Sequence, residues 1–228
     1  MDIMPAIVVN FKAYRESTGK NALMLAMMCE RAAKEKGVHI AVAVQEQDIY
    51  RVSSQVEIDV YAQHIDPISF GAHTGQDLPE GMKESGAVGT LINHSEHRLD
   101  FETIKRTVER AKEVGLKTIV CAPEPELAAR VAALNPDYIA IEPPELIGGD
   151  ISVSAARPEA ISDTVKMVKN VRDVPILCGA GIKDRNDVSI AMKLGACGVL
   201  VASHVVKAKE PERVLKELLE GTIGYCGR

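Results

Sequence analysis

Residues 118–141 read TIVCAPEPELAARVAALNPDYIAI, and this stretch decides the fold. It begins and ends with short apolar runs, at Thr118–Cys121 and Tyr138–Ile141. Between the two runs, apolar residues recur at the spacing of one helical face: Leu127, Val131 and Leu134. Both runs are nearly continuous in apolar residues instead of alternating, which is typical of parallel strands buried on both faces. The stretch therefore predicts a strand–helix–strand unit.

The same alternation continues along the whole chain. Eight short apolar runs predict eight strands: Ala6–Val9, Ile40–Val44, Asp59–Ala62, Gly89–Ile92, Thr118–Cys121, Tyr138–Ile141, Pro175–Cys178 and Val199–Val201. Helical patterns fill the gaps, and glycines follow three of them where a left-handed C-cap would lie: Gly37, Gly115 and Gly195.

Strict alternation of strand and helix favours a parallel sheet, either open or closed. Eight units with no segment left over favour closure. We therefore expect an α/β protein with a single (β/α)₈ TIM barrel, eight parallel strands ringed by helices. No linker, low-complexity tract or charge block interrupts the alternation, so residues 1–228 are predicted to form one domain.

Composition and charge limit the partners. The 228 residues are 46% hydrophobic and 26% charged, which is ordinary for a globular protein. The formal net charge of -5 argues against nucleic acid or an anionic membrane as a main partner. The longest uncharged stretch, Leu194–Val206, is too short to span a bilayer. Because the N-terminal residues also lack the pattern of a signal peptide, we expect a cytoplasmic protein.

The cysteines indicate neither disulfides nor a structural zinc site. Their number is odd and none forms a C-x-x-C pair: Cys29, Cys121, Cys178, Cys197 and Cys226. The three in apolar runs, at positions 121, 178 and 197, are interpreted as small buried hydrophobic residues in a reducing compartment.

In a barrel of this kind the reactive residues lie at the C-terminal ends of the strands. Polar side chains stand there after the first, fourth and sixth strands: Asn10, Lys12, His94, Glu96 and Glu142. Small residues follow the seventh and eighth strands, where backbone N–H groups can bind phosphate. A carboxylate can remove a carbon-bound proton while a histidine polarises a carbonyl. This pattern predicts proton abstraction next to a carbonyl on a phosphorylated substrate.

Five motifs at these strand ends closely resemble those of triosephosphate isomerases, in particular the short archaeal branch. They are N-F-K at 10–12, N-H-S-E-H-R at 93–98, E-P-P-E-L-I-G at 142–148, G-A-G-I at 179–182 and V-A-S at 201–203. Each motif alone is weak. The ordered set is specific, and it extends over nearly the whole chain.

The resemblance implies interconversion of dihydroxyacetone phosphate and D-glyceraldehyde 3-phosphate through an enediol(ate), without metal or organic cofactor. It implies Glu142 as the base and His94 as the neutral electrophile. Lys12 would stabilise negative charge, Asn10 would hydrogen-bond near the carbonyl, and Glu96 would hold the site together. By the same resemblance His94 would be kept neutral by a helix N-terminus, with Ser95 as a plausible cap.

The resemblance also implies a phosphate site and a lid. The lid would be Pro143–Gly149, and the phosphate would be held by backbone N–H groups of Ile147 or Gly148, Gly181, Ala202 and Ser203. The chain departs from more familiar relatives in having no tryptophan in the lid. It also has Asp150 just after the lid, and this carboxylate is expected to point away from the phosphate.

Two alternatives remain at this point. One is a non-catalytic barrel that senses or stores a sugar phosphate. The other is a different phosphate-binding barrel enzyme, such as a ribulose-phosphate epimerase or an indole-glycerol-phosphate synthase. An epimerase is expected to carry metal-binding histidines on successive strands, whereas His94 and His97 have no third ligand at matching spacing. The other histidines are expected to be structural or exposed: His39, His64, His73 and His204.

The segment Glu126–Asn135 favours a homo-oligomer. After its first residue Arg130 is its only charge, and alanines flank its core stripe, which predicts a flat apolar outer face: Ala128, Ala129, Ala132 and Ala133. The resemblance to the archaeal branch implies a tetramer, with a dimer as the alternative.

Overall fold

The strands form one closed parallel barrel in chain order, and β1 pairs with β8 to complete it. The computed structural model describes residues 6–144 and 158–225. The strands are β1 (Ile7–Asn10), β2 (Ile40–Val44), β3 (Asp59–Ala62), β4 (Gly89–Ile92), β5 (Lys117–Ala122), β6 (Tyr138–Ile141), β7 (Ile176–Cys178) and β8 (Gly198–Val201). The predicted (β/α)₈ barrel is confirmed. Strands β2, β3, β4 and β6 keep their predicted bounds, and the others differ by one residue at one or both ends.

Helices surround the barrel. Those of the described residues are α1 (Lys20–Lys36), α2 (Glu46–Ser53), α3 (Pro79–Glu84), α4 (Phe101–Val114), α5 (Pro125–Ala132), α6 (Pro158–Val171), α7 (Arg185–Lys193), α8 (Ser203–Val206) and α9 (Pro211–Glu220), with a short 3₁₀ helix at Arg15–Ser17. Gly37 and Gly115 cap α1 and α4 in the left-handed conformation, as predicted. Within the described part of the chain, no helix has both the length and the apolar character needed to cross a membrane.

The core has two layers, because alternate residues of each strand point to opposite faces. One set fills the barrel interior and includes Val8, Tyr61 and Leu200. The other set, which includes Ile7 and Val9, packs between the strands and the helices. Both faces of every strand are therefore buried, which explains why the strands have near-continuous apolar sequences.

The interior layer needs a glycine in β4. A Cβ on Gly89 would lie 2.3 Å from Cε1 of Tyr61 and 2.6 Å from the carbonyl oxygen of Lys117. The Tyr61 ring is fully buried inside the barrel, so the absence of a side chain at Gly89 makes room for it.

The predicted burial is confirmed for two of the three cysteines in apolar runs. Cys121 and Cys178 are fully buried free thiols, whereas Cys197 is half-buried. Burial raises the pKa of the Cys178 thiol to about 12, which keeps it protonated and unreactive. Cys226 lies outside the described residues.

The predicted alanine face of segment 126–135 is wrong in part. Ala128 and Ala132 are fully buried within the chain itself, where α5 packs against α6. Ala129 is half-buried and Ala133 is exposed. The side chains at 128 and 132 belong to the core of the chain itself and are not available to a partner.

Candidate active site

The polar residues at the strand ends line one pocket of about 440 Å³ at the C-terminal mouth of the barrel. The structure brings together eight of the predicted site residues there: Asn10, Lys12, His94, Glu96, Glu142, Gly181, Ala202 and Ser203. Ile147, Gly148 and Asp150, together with residues 145–149 of the predicted lid, lie outside the described residues.

Lys12 is held in a strained backbone conformation at the end of β1. Its φ is +50°, in the left-handed region that a non-glycine residue enters at a cost of about 1–3 kcal/mol. Two contacts hold this conformation. Its N–H donates to Oδ1 of buried Asn10 at 3.0 Å, and its carbonyl accepts from Nε2 of Gln63 at 3.0 Å. The ammonium then reaches Oε1 of Glu96 at 2.9 Å, so Lys12 is fixed at the mouth by both its backbone and its side chain.

His94 presents one defined tautomer to the pocket. The backbone N–H of Glu96 donates to Nδ1 of His94 at 3.2 Å, so Nδ1 acts as an acceptor. The proton of the neutral ring therefore sits on Nε2, which lies 3.3 Å from Oε1 of Glu142. Burial, together with the positive charges of Lys12 and Arg98, lowers the pKa of His94 to about 4, although Glu96 opposes the shift. At neutral pH the ring is an uncharged hydrogen-bond donor.

The expected helix N-terminus at His94 is wrong. Residues 95–97 form a single turn, closed by the N–H of His97 donating to the carbonyl of His94 at 2.8 Å. Helix α4 begins later, at Phe101, and its cap is Asp100 instead of Ser95. The chain turns because Asn93 adopts a left-handed φ of +60° and its Oδ1 accepts from the N–H of Leu99. The neutral state of His94 therefore follows from burial and nearby positive charge.

Glu142 follows β6 and is only 2% exposed. Its Oε2 accepts the N–H of Ser95 at 3.1 Å, which is the contact that Ser95 makes in place of the predicted cap. Burial raises the pKa of Glu142 to about 7, against the opposing effects of the Ser95 N–H, Arg98, Lys12 and the Cys121 thiol. A carboxyl with a pKa near neutrality can both accept and return a proton at physiological pH.

Sequence reasoning missed three residues that support Glu142 or Lys12. A Cβ on Gly179 would lie 2.7 Å from Cγ of Glu142 and 3.0 Å from the carbonyl oxygen of Ile141, so the glycine leaves space for the base. The Cys121 thiol hydrogen-bonds the Glu142 carboxyl, and Gln63 supports Lys12. All three lie in or next to strand C-terminal ends. That rule could have drawn attention to them, but no sequence pattern indicates these contacts.

The small-residue loops after β7 and β8 line the same pocket. Gly181 has a φ of +69°, a conformation that favours glycine, and Ala202 has the unusual angles φ -141° and ψ -99°. Among the backbone hydrogen bonds of the described residues, none uses the N–H of Gly181, Ala202 or Ser203 as donor. These three N–H groups are able to bind an anion at the pocket wall.

The fold and this pocket define a class: a (β/α)₈ barrel enzyme with a buried carboxyl group and a neutral imidazole beside a wall of small-residue loops. Comparison with known proteins agrees with that class. The family model for triosephosphate isomerase matches residues 5–219. The chain belongs to the triosephosphate isomerase family, as the sequence motifs predicted, and it is an aldose–ketose isomerase by that membership.

Three archaeal relatives, each named triosephosphate isomerase, are similar to this chain over almost its entire length. The protein of Methanothermus fervidus is 51% identical over 216 residues, covering 94% of this chain and 97% of the relative. That of Methanocaldococcus jannaschii is 49% identical over 215 residues, covering 94% and 98%. That of Methanosarcina mazei is 48% identical over 216 residues, covering 94% and 97%.

Proposed function

We propose that this chain interconverts dihydroxyacetone phosphate and D-glyceraldehyde 3-phosphate through an enediol(ate), using its own side chains alone. The observation that carries the proposal is the pair formed by Glu142 and His94. Nε2 of the imidazole lies 3.3 Å from a carboxyl oxygen, and burial favours the neutral form of both groups. The Glu142 carboxyl is suited to moving a proton, and the His94 imidazole is suited to polarising a substrate carbonyl oxygen.

In the forward direction Glu142 removes a proton from C1 of the ketose while the Nε2–H of His94 donates to the carbonyl oxygen on C2. Electrons of the C1–H bond form the C1–C2 double bond, and the negative charge moves to the oxygen. A proton then moves from the C1 hydroxyl to the C2 oxygen, with His94 beside both oxygens to carry it. The protonated Glu142 returns its proton to C2 while the C1–O bond becomes the aldehyde carbonyl, which completes the aldose. Lys12 stabilises the charge that develops on oxygen, Asn10 hydrogen-bonds near the carbonyl, and Glu96 holds the Lys12 ammonium in place.

The phosphate is assigned to the wall formed by the loops after β7 and β8. The N–H groups of Gly181, Ala202 and Ser203, which donate to no loop or turn carbonyl among the described residues, support this role. Lys12 adds a positive charge to the same pocket. The lid at 143–149, with Ile147 or Gly148 as a further phosphate donor, belongs to the proposal through the family resemblance. Closure over the substrate would exclude water from the enediolate.

A sensor barrel that only binds a sugar phosphate needs the phosphate wall but no base. In this chain Glu142 is buried with a pKa near 7 and touches a neutral imidazole, which serves proton transfer and not phosphate binding. An epimerase of the metal-dependent kind needs histidine ligands at the substrate. His94 instead makes its Nδ1 contact to a backbone N–H. The site therefore favours the isomerase over both alternatives.

The domain organisation, location and oligomeric state of the protein belong to the proposal as well. We infer one domain over residues 1–228, a cytoplasmic location and no nucleic-acid or membrane partner, supported by the uninterrupted barrel and the net charge of -5. A homotetramer, or a dimer, is inferred from the resemblance to archaeal relatives, since part of the alanine face is buried within the chain. Light scattering across a dilution series checks this, and a monomeric mass would rule it out.

The activity test is conversion of glyceraldehyde 3-phosphate, coupled to a dehydrogenase that consumes dihydroxyacetone phosphate. Glu142→Gln keeps the shape of the side chain but cannot accept the proton. It is expected to lower kcat by about 10³-fold or more with a modest change in KM. The matched control is Glu109→Gln, which alters an exposed glutamate on α4 and should retain full turnover. A folded wild type without turnover would contradict the isomerase, and an active Glu142→Gln variant would contradict the base.

A further inference from the structure

A second pocket, of about 340 Å³, lies next to the active-site pocket and shares Asn10, Lys12, His94 and Glu96 with it. At its edge three side chains that can ligate a metal come together after β3: His64, Asp66 and Asp77, here called the His64 cluster. One ligand atom from each lies within 4.8 Å of the other two. The mechanism proposed above uses none of these three residues.

The geometry of the His64 cluster is set by hydrogen bonds around it. Nε2 of His64 lies 3.3 Å from Oδ1 of Asp66. The other oxygen of Asp66, Oδ2, accepts the backbone N–H of Asp77 at 2.7 Å, and the N–H of Asp66 donates back to the Asp77 carbonyl at 2.9 Å. The His64 ring also packs against the His97 ring, with centroids 4.3 Å apart. A backbone hydrogen bond thus fixes one oxygen of Asp66, while the other oxygen faces His64. Hydrogen bonds of this kind orient the ligands of metal sites.

The cluster carries negative charge that the described residues do not neutralise. The Asp77 carboxyl hydrogen-bonds the carboxyl of Glu46, so a third carboxyl group lies beside the cluster. No lysine or arginine of the described chain forms an ion pair with Asp66, Asp77 or Glu46. The ammonium that lines the pocket, Lys12, is already bound to Glu96. Carboxyl groups gathered in this way favour a bound cation.

We propose that His64, Asp66 and Asp77 bind a divalent transition-metal ion of the Zn²⁺ type beside the active site. An imidazole nitrogen with two carboxylate oxygens is a ligand set that Zn²⁺ accepts, whereas Mg²⁺ and Ca²⁺ prefer oxygen alone. Ligand atoms about 2.0–2.2 Å from such an ion lie about 3.3–3.6 Å apart in a tetrahedral site, so small side-chain rotations bring the three atoms into range. Water would complete the coordination. The ion would link residues 64–66 to residue 77 and so hold together the two ends of the segment between them.

The test is isothermal titration of the purified chain with zinc chloride alone in a non-chelating buffer near neutral pH. The expected result is one ion per chain at this site, and at least about a tenfold weaker dissociation constant in His64→Gln and in Asp77→Asn. Asp77→Asn removes a negative charge beside Glu46, so its fold is expected to be as stable as the wild type. Its loss of binding would therefore report a lost ligand and not unfolding, which a thermal melt verifies.

His39→Gln is the matched control, because Nε2 of His39 lies 3.6 Å from Oδ2 of Asp59 in a pair of the same residue types. That pair belongs to no three-ligand group among the described residues, so the variant should bind zinc as the wild type does. Cobalt substitution then separates the His64 cluster from cysteine. Imidazole and carboxylate ligands give weak d–d bands without the intense thiolate charge-transfer band.

Three outcomes would overturn the proposal: no binding by the wild type, undiminished binding in both His64→Gln and Asp77→Asn, or a thiolate charge-transfer band with cobalt. Undiminished binding that disappears in His94→Gln would place the ion in the active site instead. Because the readout is metal binding and not turnover, the proposed isomerase activity can stand or fall independently of this result.

Discussion

Glu142 and His94 respond to the same burial with opposite pKa shifts. Removal from water disfavours the charged form of each group, so the pKa of the carboxyl rises to about 7 and that of the imidazole falls to about 4. A carboxyl base and an uncharged donor are the two groups that proton transfer beside a carbonyl requires. Their roles were inferred from residue types at strand ends. Their protonation states depend on packing that no local sequence pattern records.

The residue-scale prediction concerns the pH profile of kcat/KM. Because Glu142 must be ionised to accept a proton, kcat/KM should fall with a slope of one as the pH drops below about 7. His94 should add no second loss until about pH 4, since it is already neutral above that value. The measurement is the coupled assay from about pH 5 to about pH 9.

The substrate's own phosphate also titrates in this range, at a pKa near 6. Inhibition by an unreactive phosphate monoester such as glycerol 3-phosphate, measured over the same pH values, isolates that contribution, and the remaining limb belongs to the protein. The absence of a remaining limb above about pH 5 would mean that Glu142 keeps an ordinary glutamate pKa, near 4.5, in the free enzyme.

At the scale of elements, strand positions could be predicted closely, because strands buried on both faces have continuous apolar sequences. Helix positions near the site could not. A helix was expected from Ser95, yet Asn93 bends the chain through left-handed backbone and ties down Leu99, so α4 starts at Phe101. Likewise, the sequence of α5 does not show whether its alanines face a neighbouring subunit or the core of the chain itself.

Gly179, just after β7, lies close to Glu142, just after β6, and this contact leads to the prediction at the scale of elements. Gly179→Ala would place a Cβ 2.7 Å from Cγ of Glu142, so the end of β6 or the base itself must shift. Misplacement of a catalytic group by about 1 Å can cost about 10²-fold in rate, and kcat is expected to fall by roughly that factor. The assay compares kcat and KM of the variant with those of the wild type.

Gly81→Ala is the control for that substitution. Gly81 lies within α3, and the nearest atom to an added Cβ there is 3.9 Å away. The change should leave kcat unaltered and stabilise the helix by about 0.5–1 kcal/mol. Full activity of Gly179→Ala would mean that the strands can separate without moving the base.

At the scale of the whole molecule, the barrel assembles residues that are far apart in sequence. Closure in chain order brings Asn10, Glu142 and Ser203 to one mouth, because all the strands are parallel and point the same way. This is why the location of the site could be predicted before any side-chain contact was known. The His64 cluster was not foreseen, since Asp66 and Asp77 meet only through the folding of the segment between them.

The buried position of Glu142 in the barrel mouth should lower the free energy of unfolding at high pH. Its folded pKa of about 7 exceeds the ordinary value of 4.5, so between these values the folded chain binds more protons than the unfolded chain. Stability attributable to this group is therefore present at low pH and is lost as the pH rises through about 7. Glu142→Gln has no proton to lose, and it should be more stable than the wild type by roughly 2–3 kcal/mol at about pH 8.

Urea unfolding of the wild type and of Glu142→Gln, at about pH 8 and about pH 4.5, measures this difference directly. The two proteins share His94 and every other titrating group, so contributions from those groups cancel in the comparison. The advantage of the variant should shrink towards zero at the lower pH, where the wild-type carboxyl is mostly protonated. If the wild type and Glu142→Gln have equal free energies of unfolding at the higher pH, burying the ionised carboxylate does not destabilise the fold. In that case burial could not be what prepares Glu142 to act as the base.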